Sequence, residues 1–421
     1  MPNVQPSDAP TRYAGGLSRT QAVSWRNATF VIFALCGLAL ASWVARVPAV
    51  RDSLQASTAE MGLLIFGIAA GSIAGLLASS HLVARFGART IMLWTLLTGS
   101  IGITIGGLGA TIGPNFWLAF LGLFIFGGST GMCDVAMNVS GAANERVLRR
   151  NIMPIFHAFF SFGTMIGAGL GAVAEFLAIP IAIHMGAIAL TVAVGGVASV
   201  RFMQSEHIIE DDETPVPDDD HSRSWRGRLS IWRDPRTLLI GLVILGAAFA
   251  EGSANDWLAL AMVDGHGVSN ETGAIVFGLF VTAMTVGRLA GVKLLNRFGR
   301  VPVLRASFLL AAIGLLVLIF VPNPWVAAVA AVAWGLGSSL GFPVGMSAAA
   351  DDPKTAAARV SAVATIGYCA FLVGPPAIGF LGDAVGLLNA LLVVLVLVAI
   401  GALVAGSARE PRDSTSGRRR A

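Results

Sequence analysis

Three carboxylates, Asp134, Glu251 and Asp256, sit inside long apolar stretches of the 421-residue chain. At the centre of a membrane helix such a group costs at least ~2.5–3.5 kcal/mol on insertion scales, so it must face a cavity, find a partner or do chemistry. A buried carboxylate is pushed towards its neutral form and can exchange a proton near working pH. Asp134 is therefore a candidate proton carrier; the alternative is a structural ion pair or a polar tie between helices. Asn138 follows one turn later on the same helical face, where its amide is placed to ligate a hydroxyl or to bond a neighbouring helix. Glu251 shares a face with Asn255 at i+4, and Asp256 follows at i+5. Gly252 and Ser253 suggest a local irregularity there, with Glu251 lining a cavity and Asp256 either doing the same or ending a solvated helix. Arg46 is placed to pair with a carboxylate or a solute oxygen, or to snorkel to the headgroups as Arg51 is expected to do. His157 offers a proton relay, a solute ligand or simple packing. Trp43 and Trp257, each beside a charged candidate, could stack on an apolar ring face, as could Trp334, Phe159, Phe160 and Tyr368; ordinary packing is the competing reading.

The elements that hold these residues are membrane spans. Hydrophobic residues make up 55% of the chain and charged residues only 12%, against about 25% charged in soluble domains. A span of the ~30 Å hydrocarbon core takes about 20 apolar residues. Such stretches fall near 26–50, 58–84, 90–111, 115–140, 153–176 and 179–201, and again near 236–262, 270–296, 302–321, 324–350, 358–384 and 386–407. The pattern predicts an all-α membrane protein with twelve helices: a tail over 1–25, a six-helix bundle over 26–202, a linker over 203–235, a second six-helix bundle over 236–407 and a tail over 408–421. The first span, with no small-residue cleavage site after it, reads as a retained helix. Pro48 is expected to bend its outer end. Gly374-Pro375-Pro376 with Gly379 reads as a flexing element in span eleven.

The linker carries Glu210-Asp211-Asp212-Glu213, Asp218-Asp219-Asp220 and then a basic run from Arg223 to Arg236, a charge pattern of solvated segments. With both ends inside, Arg12, Arg19, Arg26, Arg85, Arg89, Arg146, Arg149, Arg150, Lys354, Arg359 and Arg418-Arg419-Arg420 face the cytoplasm. So does the cluster Arg288, Lys293, Arg297, Arg300 and Arg305. The net charge of +4 lies in short loops and not along one face, which argues against nucleic acid as a partner. Cys36, Cys133 and Cys369 show no close partner and no metal-ligand spacing, and read as small core residues. No His-Glu-x-x-His, clear nucleophile–base set or phosphate-cradling loop follows a strand. Neither an enzyme, a resident metal nor a cofactor is expected.

The halves repeat. Gly75-Leu-Leu-Ala-Ser-Ser-His-Leu-Val-Ala-Arg-Phe-Gly87 aligns without gaps on Gly287-Arg-Leu-Ala-Gly-Val-Lys-Leu-Leu-Asn-Arg-Phe-Gly299, with seven of thirteen positions identical at an offset of 212 residues. Both segments resemble the loop 2–3 signature of the major facilitator superfamily, G-x-x-x-D-R-x-G-R. Its Asp is replaced by Ala84 and Asn296. The resemblance implies two pseudo-symmetric six-helix bundles and alternating access, with Arg85, Gly87, Arg297 and Gly299 as gating residues. Gly131-Met-Cys-Asp134-Val-Ala-Met-Asn138 resembles a signature of the fucose-permease-like sugar–proton symporters, with Asp replacing Glu. Pro48 and Gly62 keep that group's spacing, while its acidic residue in span one falls at Val44.

Trp43-x-x-Arg46-x-Pro48, the Asp134/Asn138 pair, His157-x-x-x-Ser161-x-Gly163 and Glu251 with Asp256-Trp257 are similar to a narrower subgroup. It includes the rhizopine permeases of root-nodule bacteria, whose solutes are amino-inositol derivatives. The resemblance implies a secondary transporter of a sugar, polyol or cyclitol, monomeric in the inner membrane of a bacterium, with both termini cytoplasmic. In it Asp134, Arg46 and Glu251 serve proton coupling, and Trp43, Asn138, His157, Glu251, Asn255, Asp256 and Trp257 bind the solute. A proton-coupled antiporter exporting drugs or metabolites is the alternative. Span five, Gly163-Thr-Met-Ile-Gly167-Ala-Gly169-Leu-Gly171, lacks the Gly-Pro motif typical of such exporters.

Overall fold

The computed structural model describes residues 16–150, 152–205, 231–351 and 355–410. The linker carboxylates Glu210 to Asp220, Arg223, Arg12, Lys354 and Arg418 to Arg420 lie outside the described residues. Among the described residues every regular element is helical. The order is α1 (Arg19–Val44), α2 (Val47–Leu54), α3 (Thr58–Phe86), α4 (Ala88–Thr111), α5 (Phe116–Leu148), α6 (Met153–Phe176) and α7 (Ile181–Val200). Then follow α8 (Pro235–His266), α9 (Asn270–Phe298), α10 (Arg300–Phe320), α11 (Pro324–Ser338), α12 (Gly341–Ala349), α13 (Ala356–Val385), α14 (Leu387–Ala390) and α15 (Leu392–Val404). These make twelve stretches long and apolar enough to cross a membrane. Large apolar side chains such as Leu77, Trp94, Trp117, Phe176 and Leu403 point outward, which only a lipid surround favours.

Local chemistry moves several boundaries away from the hydropathy reading. The first helix begins at Arg19 and not near residue 26, because Ser18 and Gln21 close a reciprocal cap: Ser18 N–H donates to Gln21 Oε1 at 2.9 Å and Gln21 N–H donates to Ser18 Oγ at 3.2 Å. It ends at Val44, and the chain turns at Ala45 and Arg46. Pro48 therefore does not bend that helix. It stands in the first turn of α2, where a residue without an N–H and with fixed φ is favoured. Span ten is two helices, α11 and α12, parted at Ser339 and Leu340. The irregularity expected at Gly252-Ser253 is absent: α8 runs unbroken from Pro235 to His266. Pro375 and Pro376 lie inside a continuous α13.

The described residues form two compact units, one within 16–43 and 67–205, the other within 44–66 and 231–410. The division falls within α3. In the first unit α4 packs against α5 and α7. Helix α3 crosses α5 where Gly75 meets the backbone of Gly128, leaving no space for a Cβ. Trp25 Nε1 donates to Ser140 Oγ at 2.9 Å and Asn144 Nδ2 to Ala22 O at 3.1 Å, which ties α1 to α5. Phe30, Phe33, Phe156 and Phe159 form a ring cluster between α1 and α6, with Phe30 and Phe159 stacked at 4.5 Å.

In the second unit α8 is the central helix, packed by α9, α12, α13 and α15. Asp351 sits between two arginines, Arg300 at 2.7 Å and Arg236 at 3.1 Å, and so joins the starts of α8 and α10 to the end of α12. Asp234 caps α8 and pairs with Arg359 of α13 at 3.1 Å. This unit also takes in α2 and the first turns of α3. Arg51 pairs with Asp264 and with Asp52, and Asn270 Nδ2 donates to Asp52 Oδ2 at 3.0 Å. Arg51 is thus a bridge between α2 and α8 and not the snorkelling residue expected. Burial works against its charge, but the bonds to Asp264 and Asp52 outweigh burial and raise its pKa. The repeated motif ends alike in both halves: Gly87 (φ 79°) precedes α4 and Gly299 (φ 78°) precedes α10. Glycine reaches that left-handed region without a Cβ penalty.

Candidate functional site

In the first unit, Asp134 and Asn138 project from α5, one turn apart and half-buried. Asn138 Nδ2 donates to the Asp134 carbonyl at 2.8 Å and to its Oδ1 at 3.3 Å. No cation faces Asp134 among the described residues. His157, early in α6, lies edge-on to Phe33 at 5.3 Å. Trp43 is fully buried near the end of α1. Its indole Nε1 has no hydrogen-bond partner among the described residues.

In the second unit, Glu251 meets Arg288 of α9. Arg288 Nη2 donates to both carboxylate oxygens, at 2.8 and 2.9 Å. One nitrogen serves both oxygens, a charge-assisted contact without the two-nitrogen fork. The loop count assigned Arg288 to a cytoplasmic cluster. It lies instead ten residues before the end of α9, about 15 Å along the helix at 1.5 Å per residue. The signal was present: an arginine that deep in a span needs a carboxylate, and Glu251 in the preceding span is one.

Asp256 is different. It is half-buried on α8, inside a helix that crosses the membrane, and it has no hydrogen bond or ion pair among the described residues. Asn255 beside it also lacks a side-chain bond among those residues. Trp257 is 0% exposed, its ring edge packs by Gly379 of α13, and its Nε1 has no partner among the described residues. Neither Trp43 nor Trp257 presents a ring face to solvent. Arg46 is only 3% exposed, at the turn before α2, which takes it out of the headgroup-reaching role.

The motif arginines behave alike. Arg85 lies 5.2 Å over the ring of Phe86, and Arg297 lies 5.2 Å over that of Phe298. Both are exposed, and neither has an ion pair among the described residues. The structure thus pairs Asp134 with Asn138 and Glu251 with Arg288, and leaves Asp256 apart. Among the described residues, Asp134 in the first unit and Asp256 in the second are embedded carboxylates with no neutralising cation. Such a group can take up a proton or hold a cationic head.

The Cys36 and Cys133 side chains do have a partner, and it is each other, with Sγ atoms 3.8 Å apart. They lie 97 residues apart in the chain, too far for any spacing rule to see. Among the described residues no cluster of three or more His, Cys, Asp or Glu could hold a metal ion.

The profile described as Major Facilitator Superfamily matches residues 29–297 and 248–421. An uncharacterized MFS-type transporter of Yersinia pestis is 29% identical over 390 residues, covering 92% of this chain and 96% of that protein. Membrane protein MosC of Rhizobium meliloti is 26% identical over 377 residues, covering 89% and 86%. Among solved structures, the nucleoside transporter NupG aligns with TM-score 0.69 at 14% identity, over 92% of this chain and 98% of that one. The transporter FucP aligns with TM-score 0.60 at 17% identity, over 91% and 98%. These structural likenesses show the fold.

Proposed function

The chain belongs to the Major Facilitator Superfamily, and on that premise we propose that it is a secondary active transporter carrying a small sugar-like solute by proton symport. The solute class is a sugar, polyol or cyclitol, with an amine-bearing cyclitol favoured. The observation that carries this reading is the charge balance of the embedded groups. Glu251 is neutralised by Arg288, while Asp134 and Asp256 have no cation among the described residues. One carboxylate free to exchange a proton and one free to hold an ammonium group are what proton-driven uptake of an amine-bearing polyol requires.

In this reading Asp134 carries the coupling proton and Asn138 positions it. Asp256, Asn255 and His157 contact the solute, with Trp43 and Trp257 behind them. Arg46 and the Glu251–Arg288 pair order the site, and Arg85, Gly87, Arg297 and Gly299 act at the gate. FucP is a fucose:proton symporter of E. coli, and the likeness of Gly131 to Asn138 to the fucose-permease-like signature supports the same class. The protein sits in the inner membrane as a monomer with both termini cytoplasmic, as the arginine bias supports.

The test is uptake by full-length protein in proteoliposomes, with inositols and amino-inositols offered under an imposed pH gradient. Accumulation driven by an inward proton gradient is expected, and Asp134→Asn should abolish it while leaving ligand binding measurable. Asp256→Asn should weaken amine-bearing ligands about 10- to 100-fold, the value of a charge-assisted bond of ~1.5–3 kcal/mol, and should leave neutral polyols nearly unchanged. Gradient-driven uptake that survives Asp134→Asn, or equal losses for neutral and cationic ligands in Asp256→Asn, would sink the respective assignment. Stabilisation by bulky lipophilic cations alone would favour an exporter.

A further inference from the structure

The transport reading makes no use of Cys36 and Cys133. Both are buried, at 9% and 2% exposed, and their Sγ atoms lie 3.8 Å apart across the contact between α1 and α5. A disulfide requires ~2.05 Å between sulfurs, so the pair must close by roughly 1.7 Å, within reach of a side-chain rotation. Room for that rotation exists. A small pocket of about 20 Å³ is lined by both cysteines together with Thr95, Ser129 and Phe126. Among the described residues no third ligating side chain joins them in a group that could hold a metal ion. The third cysteine, Cys369, is exposed and lies on α13 in the other unit.

We propose that Cys36 and Cys133 are an oxidisable dithiol, a modification site at which a neutral, membrane-permeant two-electron oxidant joins α1 to α5 by a disulfide. With a diazenedicarboxamide as oxidant, two S–H bonds break and one S–S bond forms. The two electrons and two protons reduce the N=N bond to a hydrazine. The reagent must be uncharged, because the pair lies within a membrane span and its pocket is lined mostly by apolar groups. The cross-link would form one residue from Asp134 and fix the segment of α5 that carries Asp134 and Asn138 against α1.

The experiment uses the purified full-length protein in detergent, treated with diamide, denatured, alkylated and mapped by mass spectrometry without reduction. Of the three thiols in the chain, one should remain alkylatable, and a Cys36–Cys133 linked peptide should appear from a monomeric species. Cys369→Ser should leave that peptide unchanged, whereas Cys36→Ser should leave both remaining thiols free. Cys133→Ala serves as the second variant should the first fail to fold. Three alkylatable thiols after treatment, or loss of Cys369 alone into an intermolecular dimer, would overturn the proposal. The readout is covalent and does not depend on any solute, so its failure is distinct from failure of the transport reading.

Discussion

At the scale of single residues, the charged groups of the spans divide into those with partners and those without. Glu251 and Arg288 form a carboxylate–guanidinium pair between α8 and α9, with side chains 19% and 34% exposed. Removing one member of a buried pair strands the other and costs about 3–5 kcal/mol. Because Arg288 keeps a third of its surface, the expected cost here is lower, about 2 kcal/mol. Glu251→Gln and Arg288→Met should each destabilise the protein by that amount, and the double variant should recover at least half of it. Equilibrium unfolding in mixed micelles would measure the cycle; strictly additive losses would show that the two side chains are not coupled. The same contrast separates what the sequence made legible from what it hid. Asp134, Glu251 and Asp256 stand out because charge in apolar sequence is rare. The assignment of partners did not, since Arg288 looks like a loop arginine until the helix around it is built. The cysteine contact joins residues 97 positions apart, and only tertiary packing reveals it.

At the scale of elements, hydropathy located all twelve spans because each must be apolar over its own length, a local property. It placed the ends less well because ends are set by caps. Ser18 with Gln21, and Ser57 with Glu60 (2.8 and 3.1 Å), are reciprocal caps legible from the S-x-x-E/Q spacing. The break before α2 follows from Pro48, read as a kink when it was a start. Asp234 offers a test of one cap. Partial burial works against its charge, but the Thr237 hydroxyl and backbone bonds and the nearby Arg359 hold its carboxyl below the ordinary value. A depressed folded-state pKa contributes stability that is complete above about pH 4 and lost as pH falls through the folded value. Asp234→Asn keeps a capping oxygen and loses the attraction to Arg359, so it should cost about 0.5 kcal/mol at neutral pH. The gap from wild type should narrow as pH falls below about 4. Melting curves at neutral and acid pH decide this, and a gap that persists in acid would assign the loss to packing.

At the scale of the molecule, the internal repeat and the superfamily match agree. The motif at Gly75–Gly87 recurs at Gly287–Gly299. Its last glycine takes nearly the same φ in both copies, its arginine lies at the same distance over the next ring, and its first glycine meets a neighbouring helix closely in each half. Sequence identity between copies thus reports equal local geometry. Orientation is a property of the whole chain. Reporter fusions after Arg409 and within the 206–230 linker should be active only as cytoplasmic reporters, and a fusion in the turn at Gly113 only as an external one. A periplasmic signal from the linker would invert the topology.

The Glu251–Arg288 contact also bears on how the chain is made. Its two members are 37 residues apart, so the acid leaves the ribosome ~2–7 s before the base at ~5–20 residues per second. Until then Glu251 stands in α8 without its neutralising partner, at a cost of a few kcal/mol in lipid. Entry of α8 and α9 together as a hairpin would remove that cost. The contact thus gives the two helices a physical reason to enter the membrane as one unit.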